Sequence, residues 1–86
     1  MKDIKKFLTE ANTNQWKCDR DMPWKSDSMF ICFTPAWQMY CFCSKRDIEN
    51  LDEYYSPAEA DINAILALNV GESIVVEEHI YVRIKK

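Results

Sequence analysis

A run of seventeen residues without a single charge, Ser28 to Ser44, constrains this chain more than any other feature. So apolar a stretch must be buried in protein or in lipid. A helical membrane span needs about 20 residues, and Thr34, Pro35 and Gln38 interrupt this run. Met29–Thr34 and Trp37–Cys43 are dense in β-branched and aromatic side chains and flank Pro35-Ala36, which is how a hairpin reads. Both segments are apolar on both faces. The pair is therefore expected at the centre of a sheet, covered on each side, with no membrane span.

The flanking segments supply the cover. Ile4, Phe7, Leu8 and Ala11 fall at i, i+3, i+4 and i+7, so residues 2–12 read as an amphipathic helix. Residues 13–28 show no clean period and read as a long loop, with a short strand around Trp16. Ser44 and Asp47 have the spacing of a capping box and open a short helix that buries Ile48, Leu51 and Tyr55. Ser56-Pro57-Ala58-Glu59 reads as a second cap, with Pro at the first helical position, for a helix burying Ile62, Ile65 and Leu66. Ser73–Val76 and Ile80–Ile84 form a second hairpin. A three-residue loop, Glu77-Glu78-His79, would put all its apolar residues on one face; a two-residue loop would split them. The three-residue loop is the expectation. The order is then α-β-β-α-α-β-β: an α+β fold with one antiparallel sheet of about four strands and two to three short helices on one side.

At 86 residues the chain fits one domain, residues 1–86. Its 48% apolar content is enough for one core. The net charge of −3 argues against a general nucleic-acid binder. Acids concentrate between Lys45 and Asp61, six against two bases. The charged N-terminus, Met1-Lys2-Asp3-Ile4-Lys5-Lys6, lacks the apolar run of a signal peptide, so a cytoplasmic, reducing setting with free thiols is expected.

Gly71 is the only glycine, so a Gly-rich phosphate cradle of either the dinucleotide or the P-loop kind is excluded. His79 is the only histidine and reads as a turn residue between two glutamates and a strand, so no catalytic residue is assigned and no enzyme is expected. Cys41 and Cys43, two apart in a strand, share a face. A two-residue hairpin loop would bring Cys32 there, with Cys18 approaching from the loop. Zinc prefers two close ligand pairs, and no Cys-x-x-Cys knuckle is present. The thiols therefore read as small core residues with no metal and no cofactor.

Two tryptophans in one loop, Trp16 and Trp24, and the acids Asp47, Glu49, Asp52, Glu53, Glu59 and Asp61 with Tyr54 are the candidate partner-binding residues. The partner they suit is a larger protein with a basic surface. A homodimer stays open. The alternative is a nucleic-acid-associated accessory domain using the N-terminal lysines and the Arg83, Lys85 and Lys86 tail, although Asp19, Asp21 and Asp27 cancel much of the field of Lys17, Arg20 and Lys25. A zinc- or thiol-dependent enzyme is the distant third.

The last thirty residues carry one further pattern. A capped helix runs into Leu68-Asn69-Val70-Gly71-Glu72-Ser73-Ile74, then a hairpin ending Val82-Arg83-Ile84. This resembles the tails of small phage and mobile-element proteins, some of which, the anti-CRISPR proteins among them, inhibit bacterial defence systems. The resemblance implies a short, acidic, non-enzymatic inhibitor that occludes a site on a larger target. It carries over no site residues.

Overall fold

The uncharged run folds into the middle of a sheet. The computed structural model describes Thr9, residues 15–53 and residues 57–86. Among these, β2 (Ser28–Thr34) and β3 (Met39–Ser44) form the central antiparallel hairpin, with Cys32 opposite Cys41 and Phe33 opposite Tyr40. The far side of β2 pairs antiparallel with β5 (His79–Arg83), and β5 pairs with β4 (Ser73–Val76). The outermost strand, β1 (Lys17–Cys18), runs parallel to β3. The spatial order is β1-β3-β2-β5-β4. Two helices, α1 (Lys45–Glu49) and α2 (Glu59–Leu66), complete the described fold.

The two faces of the sheet have separate cores. Phe30, Cys32, Cys43, Val76 and Tyr81 face the helices and meet Ile48, Leu51 and Ile65. Ile31, Phe33 and Val82 form the core of the opposite face, flanked by Trp16, Tyr40, Phe42 and Ile80. Phe30, Phe33 and Tyr81 are almost fully buried. Removing a side chain of that size from water contributes roughly 1.5–3 kcal/mol. A β-bulge between Ser28 and Phe30 ends the regular pairing of the hairpin near its open end.

Local chemistry sets the element boundaries. The Ser44–Asp47 box forms as expected: the Asp47 N–H donates to Ser44 Oγ at 3.2 Å and the Ser44 N–H donates to Asp47 Oδ2 at 2.8 Å. At the end of α2 the Arg83 guanidinium, reaching over from β5, donates to the carbonyls of Leu66 (3.2 Å) and Leu68 (2.8 Å). A cation there satisfies orphan acceptors and complements the negative end of the helix.

Three expectations change, and one lies outside the described residues. The sheet has five strands and is mixed, because β3 leaves an edge of unpaired backbone groups that residues 17–19 fill: the Lys17 N–H donates to Gln38 O and the Asp19 N–H to Tyr40 O. Two α-helices lie among the described residues; the helix expected over 2–12 lies, apart from Thr9, outside them, as do Tyr54, Tyr55 and Ser56. The helix expected to start at Pro57 starts at Glu59, with Ala58 as an N-cap that makes no side-chain bond. Glu59 and Asp61 in its first turn supply favourable charge instead. The second hairpin turns on two residues, since Val76 pairs directly with His79. Glu77 and Glu78 take φ of 46° and 71°, the left-handed pair a tight hairpin of this twist demands. Its apolar residues are therefore split: Ile74 and Val76 join the helix-side core and Ile80 and Val82 the other.

Candidate functional site

The four-residue loop between β2 and β3 decides where the site is. Pro35 opens a 3-10 turn over Pro35–Trp37, and Gln38 closes it in the left-handed conformation, donating its N–H to Pro35 O. Trp37, expected in the strand, is thereby lifted out of the sheet and is 72% exposed. An even loop also fixes the register that places Cys32 opposite Cys41, so the three cysteines of the hairpin share the helix-side face. The two-residue turn of the other hairpin places His79 on that face too, where Thr34 Oγ1 and His79 Nδ1 are 2.9 Å apart.

These consequences meet at one cavity of about 240 Å³. Met22, Met39, Leu51 and Tyr81 line it together with Cys32, Cys41 and Cys43, and Trp37, His79 and Asp19 are among the residues of its border. Among the described residues no lysine or arginine lines it. The His79 ring lies between Trp37, met edge-on at 6.4 Å, and Tyr81 at 6.3 Å.

The thiols are in mutual contact. Cys41 Sγ is 3.9 Å from Cys43 Sγ, and Cys32 Sγ is 3.9 Å from His79 Nδ1. Cys32 and Cys43 are buried and Cys41 half-buried. Hydrogen bonds from the Cys32 and Cys43 thiols favour a thiolate at Cys41 and hold it below the usual thiol range, against the opposing effects of burial and Asp19. The same hydrogen bonds, followed by burial, push Cys32 and Cys43 up. Burial, with Cys41 and Asp19 nearby, raises Cys18. All four cysteines are free. Among the described residues no group of three or more His, Cys, Asp or Glu side chains is arranged to hold a metal ion.

The residues proposed from sequence do not form one patch. Trp16 packs on Phe33 with ring centroids 6.2 Å apart, within the core on the far face. Trp24 stands in solvent, 64% exposed. The Asp47 carboxylate accepts from the Ser44 N–H and hydroxyl in its capping box. Glu49, Asp52, Glu53 and Glu59 are exposed, Asp61 is half-buried, and Tyr54 lies outside the described residues. Of these, Asp52 and Glu53 follow directly on Leu51, in the 3-10 turn that begins at the cavity. In the C-terminal tail Arg83 bonds the end of α2, and Lys85 Nζ donates to Ser26 O at 2.8 Å, so two of its three cations are engaged within the fold.

Sequence reasoning passed over Trp37 and His79. The signal for His79 was loop parity; Trp37 was missed because the loop after Thr34 has four residues where two were expected. An even number of residues between paired strand ends puts Cys32 with Cys41 and Val76 with His79 on one side of the sheet. Comparisons with protein-family models, with curated proteins and with solved structures find no match to this chain.

Proposed function

We propose that this chain is a small protein-binding module, of the inhibitor kind that acts by covering a site on a larger protein. Trp37 carries the reading. It is 72% exposed, yet it is mounted on a 3-10 turn with fixed ends, at the border of an apolar cavity. A large, rigid aromatic group beside a pocket is the side chain that most often anchors an interface. Most of the exposed charges next in sequence to this border are acidic: Asp21 before Met22, Asp52 and Glu53 after Leu51, Glu77 and Glu78 before His79, against Arg20 after Asp19. The partner that suits it has a basic surface and an apolar side chain that enters the cavity.

The turn geometry adds support. Glu77 and Glu78 hold positive φ, where Asn-Gly would be unstrained. Strain kept in an exposed segment is a feature of functional surfaces. The narrower setting, a phage-encoded inhibitor of a bacterial defence system, rests on the C-terminal helix, glycine turn and hairpin pattern alone.

The test is capture from bacterial lysate by the full chain and by Trp37→Ala, followed by mass spectrometry. The expected result is a stoichiometric protein partner that Trp37→Ala loses and that Glu77→Lys/Glu78→Lys retains more weakly at low salt. Equal retention by the folded Trp37→Ala chain would refute the reading.

A further inference from the structure

The thiol cluster has an arrangement that core packing does not require. Three cysteines on two neighbouring strands line one cavity, with two of the sulfurs 3.9 Å apart and a histidine nitrogen 3.9 Å from the third. We infer that Cys41 is a reactive thiolate that takes an oxygen atom from a hydroperoxide admitted to the cavity, and that Cys32 resolves it as a cross-strand disulfide. The reaction needs no second protein, and a partner side chain seated in the same cavity would exclude the hydroperoxide.

The assignment of roles follows from geometry. Cys41 is the half-buried member of the three, its sulfur 3.9 Å from that of Cys43 and its residue directly opposite Cys32 across the hairpin, so it is the one an entering molecule meets first. The Cys32 and Cys43 thiols favour its thiolate form. A disulfide needs Cα atoms about 4.4–6.8 Å apart. Residues directly opposite in an antiparallel pair, as Cys32 and Cys41 are, lie about 4.5–5.5 Å apart, inside that window. Cys41 and Cys43, two apart on one strand, lie roughly 6.6–6.8 Å apart, at its limit. Cys32 is therefore the resolving thiol, and Cys43 remains a hydrogen-bond donor.

The chemistry balances as follows. The Cys41 thiolate attacks the terminal oxygen of ROOH, an S–O bond forms, the O–O bond breaks, and the alkoxide takes a proton to leave as ROH. The Cys32 sulfur then attacks the Cys41 sulfenic sulfur, the S–O bond breaks, and hydroxide leaves as water with the Cys32 proton. His79 Nδ1 lies 3.9 Å from Cys32 Sγ and 2.9 Å from Thr34 Oγ1, a polar contact beside the resolving thiol. Two thiols and one hydroperoxide give one disulfide, one alcohol and one water. Met22, Met39, Leu51 and Tyr81 give the cavity an apolar lining, which suits a hydroperoxide with a hydrocarbon group.

The experiment treats the reduced, metal-free full chain with one equivalent of cumene hydroperoxide, blocks remaining thiols by alkylation, and maps peptides by mass spectrometry. The expected product has lost two hydrogens, carries a Cys32–Cys41 bridge, and is alkylated at Cys18 and Cys43. Cys41 should react roughly tenfold or more faster in the folded chain than in urea. Cys32→Ser should stop at a sulfenic acid on Cys41 that dimedone traps, which a merely structural cysteine would not give. First oxidation at Cys18, a Cys41–Cys43 bridge, or a Cys41 rate no faster folded than unfolded would overturn the inference.

Discussion

At the scale of single residues, small differences in surroundings separate four chemically identical side chains. Cys41 is flanked by two S–H donors, Cys32 and Cys43, which lower it together with the nearby His79, while burial and Asp19 oppose them. Cys18 is instead raised by burial, followed by the negative groups of Cys41 and Asp19. An acid whose pKa is lowered is already ionised at neutral pH, so its alkylation rate should change little between about pH 6 and about pH 8. A thiol below its pKa gains about tenfold in thiolate for each pH unit, and Cys18 should follow that slope. Site-resolved iodoacetamide kinetics on the native chain measure both. Parallel slopes for Cys41 and Cys18 would mean that the hydrogen bonds do not set the reactivity. The composition could not show this. Cys41-Phe42-Cys43 in an apolar run reads as core, and the contact with Cys32 exists only once the register is known.

At the scale of elements, caps and turns decide what the strands carry. The Ser44–Asp47 box was legible from spacing alone because its two hydrogen bonds are local and need no tertiary partner. Ser44→Ala should lower stability by about 1 kcal/mol, read as a shift in the urea midpoint at constant slope. The second hairpin was misread for the opposite reason. Gathering five apolar residues on one face favoured a three-residue loop, but the sheet is covered on both faces and accepts them split. The two-residue turn then forces Glu77 and Glu78 to positive φ. Glu77→Asn/Glu78→Gly should relieve this and raise stability by roughly 1–2 kcal/mol, measured by thermal or denaturant unfolding. No gain would mean that the glutamates make compensating contacts in the turn.

At the scale of the whole molecule, the α+β class, the central hairpin and the packing of α1 and α2 on one face follow from the apolar pattern. The fifth strand follows only in part: a short strand around Trp16 was expected, but not its parallel place at the edge of the sheet. β1 is two residues long, and its pairing depends on the free edge of β3 rather than on its own composition. The binding surface was hidden for a related reason. Trp16 and Trp24 look equivalent in the chain, yet the sheet takes one into its core and leaves the other in solvent, while the hairpin loop brings out Trp37. Trp37 and Trp24 are both exposed, but only Trp37 borders the cavity, and the account assigns the anchor to it. The decisive measurement is the dissociation constant of the captured partner for the native chain, Trp37→Ala and Trp24→Ala, with folding checked by thermal unfolding. The account predicts that Trp37→Ala weakens binding by about 2 kcal/mol or more, roughly thirtyfold, mostly through faster dissociation, with the melting temperature unchanged and Trp24→Ala close to native. A folded Trp37→Ala chain that binds as tightly as the native one would contradict it.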